Sequence, residues 1–285
     1  MDKLLELLNA DPTLPLSTIQ AIKTYSTQQY LDTHPDTALI SHDKHTDKEY
    51  FVESDISLHD EYPFLLDATL EDYGFTFEDE MINDLDDGRG LRYKIHSINQ
   101  RLSRIELRGI LSGGYSEMDT VAKCKLSIRA ITKKDYKKLD LYESLAIDAY
   151  LLEKEGNFKM AFFTYFSAVE SIVRHKTDII KSESYPELQH AIEHLPFGDK
   201  IRISGKHTFE TDQIATIGIW GSLTKIANDC NTLRNEIAHG LSSKTFKLAD
   251  AQKAAACYIV VQQALLNRIE TMPALVKKYK VNKRR

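Results

Sequence analysis

The stretch Asn228-Asp-Cys-Asn-Thr-Leu-Arg-Asn-Glu-Ile-Ala-His-Gly240 decides how the second half of this chain is read. Apolar Ala227, Cys230, Leu233 and Ile237 recur at helical spacing, and Gly240 stands where a helix usually stops. At about 100° per residue, Leu223, Ala227, Cys230 and Ile237 share one face, and Arg234 falls within it. A guanidinium in an apolar stripe is costly unless it is paired or looks into a polar cleft. Glu170, Glu143 and Asp148 are candidates for such pairing from a neighbouring helix. His239 lies about 140° further round an ideal helix, so it shares no face with Arg234 while the helix stays straight.

The surroundings keep the helical period. Tyr142, Leu145, Ala146, Ala149 and Leu152 mark one helix, which Gly156-Asn157 breaks. Phe158, Ala161, Phe162, Tyr165, Phe166, Val169, Ile172 and Val173 mark the next, with a clean apolar stripe. Residues 178–210 read as a connection with a short helix around Pro186–His194, because Pro196, Gly198 and Gly205 signal loop. Leu223 to His239 is the third long helix. Leu248, Ala251, Ala255, Tyr258, Leu265 and Ile269 mark a fourth that Pro273 ends. Four amphipathic helices with one long connection predict an antiparallel four-helix bundle over residues 136–275.

Arg234-Asn235-x-x-x-His239, near the end of the third helix of such a bundle, resembles the R-x(4–6)-H motif of the HEPN domains. The phrase Ala161-Phe-Phe-Thr-Tyr-Phe-Ser-Ala-Val-Glu170 resembles that family's second helix. The resemblance covers roughly residues 138–272. It implies a metal-independent endoribonuclease of phage defence or toxin systems, without cofactor, working as a homodimer whose two motifs face each other. Attack of the RNA 2′-OH on the adjacent phosphate would leave a 2′,3′-cyclic phosphate and a 5′-OH. In that chemistry His239 moves protons, as an imidazole titrating near 6.5 is suited to do. Arg234 holds the phosphate and stabilises charge on the phosphorane. Asn235 and Glu170 are the supporting residues. The rival reading is a non-catalytic helical dimerisation or nucleotide-binding module with a structural Arg234.

Two further arginine–histidine pairs have similar spacing. Arg202…His207 surrounds Gly205, a poor helix interior, and Arg89…His96 crosses Gly90 into a strand-like segment. His190-Ala-Ile-Glu-His194 spells the zinc pattern of inverzincin peptidases, with Glu270 downstream as a third ligand to be sought. Its helix is short, and a solvent-facing role is the simpler expectation. His42-Asp-Lys-His45 and Ser112-Gly-Gly-Tyr115 read as turns.

The first half reads as an α+β domain over residues 1–135. Residues 2–9 and 17–31 are expected as helices, broken by Pro12 and Pro15. Ala38–Ser41 and Glu49–Glu53 suggest a hairpin about His42–Lys48, and Pro63 to Leu70 another strand. Alternation at Leu91–Ser97, Ile105–Gly109 and Cys124–Ala130 marks strands with one wet face. The acidic run 71–87 is expected as a loop, and 276–285 as a basic tail. This half carries no motif, and a sensor role, binding an activator or antitoxin, is the expectation placed on it.

The net charge of −5 argues against broad non-specific nucleic-acid binding, although Lys123–Lys138 and the tail are locally basic. Three scattered cysteines form no CxxC pair, so neither a disulfide framework nor a zinc knuckle is indicated. There is no apolar run of about 18 residues and no signal-peptide core. A reduced, cytoplasmic protein without a membrane span is the expectation.

Overall fold

A computed structural model describes residues 1–31, 39–41, 49–77, 80–82, 90–112, 122–240 and 244–282. The chain is mixed α/β and divides into two compact units. One comprises Met1–Ile19 with Asp140–Arg285, and the other Gln20–Leu139. The first 19 residues, expected in the N-terminal domain, therefore pack with the helices. The reason is apolar burial: Leu4 and Leu8 of helix α1 (Asp2–Ala10) and Leu14 and Leu16 of the following turn are almost fully enclosed. Thr18 adds a hydrogen bond of 2.8 Å to Gln262.

With α1 packed among the helices, the regular structure of the described residues in 20–139 is almost wholly β. Two four-stranded antiparallel sheets form them. The first has β1 (Lys23–Tyr30), β8 (Ala122–Ile131), β4 (Phe64–Phe77) and β5 (Glu80–Ile82) in that order. The second has β2 (Leu39–Ser41), β3 (Glu49–Ser57), β7 (Arg104–Ser112) and β6 (Gly90–Asn99). One core joins them, with Cys124, Leu126 and Ile128 from the first sheet and Val52, Leu91 and Leu107 from the second. Alternation at period two drives this arrangement, since every second side chain of β8 points inward. Only one helical turn, α2 (Lys133–Tyr136), follows.

Two expectations for this unit are corrected. Residues 23–30 are a strand, because the alternating Tyr25, Thr27 and Gln29 pair along β8 from Lys23↔Ala130 to Tyr30↔Lys123. Much of the acidic run is strand as well: β4 continues to Phe77, and Glu71 pairs outward with Lys125 at 3.4 Å. The expected turns at His42–Lys48 and Gly113–Tyr115, and residues 83–89, lie outside the described residues.

The helical unit continues with α3 (Leu141–Lys154), α4 (Phe158–Glu183), α5 (Pro186–Glu193), α6 (Phe197–Phe209), α7 (Trp220–Ala238), α8 (Leu248–Leu265) and α9 (Met272–Asn282). Asn157 caps α4 by accepting from Met160 N, after Gly156 (φ +76°) has ended α3. Helix α4 packs against α3, α8, α6, α5 and α7, and α8 also against α7 and α1. Buried glutamines on α8 anchor both ends of the chain, as Lys278 Nζ donates to Gln263 Oε1 at 2.6 Å.

Three readings give way here. Gly205 lies inside α6, where a Cβ would meet the Trp220 ring at 2.4 Å; the glycine is a notch for the indole, not a breaker. The fourth helix ends at Leu265, with Arg268 in the left-handed region, and Pro273 starts α9 instead of ending α8. The expected basic tail is helical through Asn282, because Leu275 and Tyr279 bury an apolar stripe. Residues 283–285 lie outside the described residues. No helix among the described residues is long and apolar enough to cross a membrane.

Candidate functional site

Helix α7 buries Trp220, Leu223, Ile226, Ala227 and Cys230, and none of its residues beyond Cys230. Arg234 comes one turn later on the same stripe, and its side chain is 29% exposed. Three neighbours hold it. Its Nη2 donates to Glu170 Oε2 of α4 at 3.2 Å, and its Nη1 donates to Asn235 Oδ1 at 3.2 Å. The guanidinium also lies over the Phe163 ring, 5.5 Å from its centroid. Its Nε is buried and has no hydrogen-bond partner among the described residues. Of the three carboxylates considered for this arginine, Glu170 is the one that pairs with it.

Phe163 and Glu170 are seven residues apart on α4, hence on one face of that helix. Sequence reasoning passed over Phe163 because it sits off the apolar stripe. That offset was the available signal: an aromatic ring outside the core stripe, two turns from a carboxylate, makes a platform for a cation. Burial pushes the Glu170 carboxyl above the usual carboxylate range, and the Arg234 charge only partly opposes this.

Helix α7 finishes with His239 at its C-cap, the backbone N–H of His239 donating to Asn235 O at 3.0 Å. Gly240 follows with φ +69°, the left-handed stop expected of it. The His239 imidazole is exposed and makes no side-chain hydrogen bond or ion pair among the described residues. Thus Arg234, Asn235 and Glu170 are brought together, while His239 stands apart at the helix end. Residues 241–243, next in the chain, lie outside the described residues.

The competing constellations resolve differently. Arg202 and His207 do lie on a helix, α6, contrary to the loop expectation, but each has its own partner. Arg202 pairs with Asp199 at 2.8 Å and His207 with Glu183 at 2.9 Å. Arg89 lies outside the described residues. His190 and His194 lie ring to ring on exposed α5, 4.4 Å between centroids. Glu193 between them is drawn to Lys181 at 3.2 Å, and no group of three or more metal-ligating side chains occurs among the described residues. Cys124, Cys230 and Cys257 are free and buried.

One more polar group is buried away from this site. Glu153 on α3 is 8% exposed beside the phenol of Tyr165, and burial raises its carboxyl to about 7. In comparison with known proteins, no family model, no curated protein and no solved structure matches the chain.

Proposed function

We propose that α3, α4, α7 and α8 form a HEPN-like antiparallel four-helix bundle that works as a metal-independent endoribonuclease. One observation carries the reading. Arg234 continues a buried apolar stripe yet remains partly open, steered by Glu170, Asn235 and Phe163, on the same helix that ends in an exposed His239.

The chemistry follows from these groups. Arg234 takes the scissile phosphate with its free donors and stabilises charge as the phosphorane forms. Glu170 orients the guanidinium through its 3.2 Å ion pair. Asn235 keeps the fork in plane. His239 takes the proton of the attacking 2′-OH, and water protonates the 5′-oxygen as the P–O5′ bond breaks. DNA lacks the nucleophile and is spared. Arg234 and His239 are about 140° apart on one helix, so the site is completed by His239 of a second copy across a two-fold axis. Leu233 and Ile237, apolar and only half-buried, belong to that contact. The β unit then serves as the docking module for an activator or antitoxin, in a cytoplasmic phage-defence or toxin protein.

A second reading rests on the same ion pair. Arg234 bridged to Glu170 at 3.2 Å is also what a structural arginine in a non-catalytic dimerisation or nucleotide-binding module does. Incubating the protein with single-stranded and structured RNA, with and without EDTA, separates the two. Cleavage indifferent to EDTA, leaving 2′,3′-cyclic phosphate ends, is expected. Arg234→Ala and His239→Ala should each lose about two to four decades in rate with the helical circular dichroism unchanged. Rates kept in both variants remove these residues from the chemistry.

A further inference from the structure

A groove of about 470 Å³ opens along α4 beside the candidate site, within the size range of ligand clefts. Glu170, the counter-ion of Arg234, lines one end, and Lys181 lies three helical turns further along α4, roughly 16 Å away. Arg174 and Lys181 are seven residues apart and share the α4 wall. Lys200 of α6 lines the groove as well.

The three cations differ in how firmly they are held. Lys181 pairs with Glu193 at 3.2 Å. Arg174 is 84% exposed and only loosely near Asp178, at 3.8 Å. Lys200 carries no ion pair among the described residues. Phe197, at the start of α6, also lines the groove. It meets Phe166 in an edge arrangement at 5.3 Å and stays half-buried, so part of its ring is open.

Cations set around an open aromatic ring suit a single strand, whose bases stack while its phosphates are neutralised. The carboxylates Glu170, Asp178 and Glu193 balance the three cations, so the groove does not attract polyanions indiscriminately. Acidic side chains in such a place accept hydrogen bonds from base amino groups. A duplex offers no unstacked base to Phe197.

We infer that this groove is the substrate-strand subsite: it holds the unpaired RNA segment adjoining the scissile phosphate. Arg174 and Lys200 take phosphates and Phe197 takes a base. The assignment rests on the ribonuclease reading of Arg234 and specifies where its substrate lies.

The test is fluorescence anisotropy with a labelled single-stranded 2′-O-methyl RNA, which has no free 2′-OH to attack, over a range of salt. Arg174→Ala/Lys200→Ala should weaken binding at least tenfold and flatten the salt slope by about 0.7 for each cation lost. Phe197→Leu, which keeps an apolar side chain against Phe166, should weaken it several-fold without changing that slope. A hundredfold excess of AMP should leave the strand bound. No binding by the wild-type protein, unchanged affinity and slope in the double variant, or complete displacement by AMP would each overturn the assignment. Binding that needs Arg174 and Lys200 without any cleavage of ordinary RNA keeps the groove and removes the ribonuclease reading. Cleavage with an unchanged KM in the double variant does the reverse.

Discussion

Helices α7 and α8 pack against each other and are used in different ways. Helix α8 buries 14 of its 18 residues, on every side, among them Ala255, Ile259 and Val261. Helix α7 buries its first three turns and then stops, although its apolar pattern runs on through Leu233 and Ile237. A helix buried all round is scaffold. A helix whose apolar stripe outlasts its burial presents a surface that something else completes. On α7 the open end of that stripe carries Arg234, and the helix then ends in an exposed His239 on another face, which is why the proposed chemistry is placed there.

The same substitution made on both helices sharpens this contrast most. Ile259→Ala should lower unfolding free energy by about 2–5 kcal/mol, since it opens a cavity in an enclosed layer. Ile237→Ala should change the stability of the protomer by less than about 1 kcal/mol while weakening self-association. Urea unfolding and sedimentation velocity measure the two. Equal losses of stability would mean that the end of α7 is ordinary core.

Glu153 tests the scaffold through pH. A carboxyl held near 7 in the folded protein and near 4.5 in the open chain binds its proton more tightly when folded. Its contribution to stability is full below about pH 4.5 and is lost as pH rises through about 7, a change of up to about 3 kcal/mol. Glu153→Gln should flatten that part of the stability profile and raise the melting temperature at pH 8. An unchanged slope between pH 5 and 7.5 would show that the carboxyl reaches water. Gly205→Ala should cost about 1–3 kcal/mol, because its methyl would press on the Trp220 ring. The cost should appear as a fall of several degrees in melting temperature with α7 still helical.

Periodic elements were legible in the sequence, and punctuation misled. The stripes of α4 and α7 and the alternation of β6, β7 and β8 placed those elements correctly, because burial imposes their periods. Gly205 and Pro273 were read as breakers. What each does depends on a distant partner: a tryptophan ring in one case, the first turn of a new helix in the other. Residues 23–30 took their form from pairing with β8, about a hundred residues away, which no local propensity reports. In the candidate site, Arg234 stood out as a charge inside an apolar stripe, and Glu170 was among its foreseen partners. Phe163 was missed because it lies off the apolar stripe by which α4 was recognised. The groove residues Arg174 and Lys200 lie on separate helices, so no linear spacing joins them.

The central claim is that α7 is completed by a second copy of itself. Dimers purified through two different tags, one subunit carrying Arg234→Ala and the other His239→Ala, test it most directly. By two-fold symmetry such a dimer holds one site with both residues intact and one with neither. The account predicts that it regains roughly half the wild-type cleavage rate while each homodimer stays two or more decades down. Mixed dimers as inactive as their parents, beside an active wild type, would contradict it.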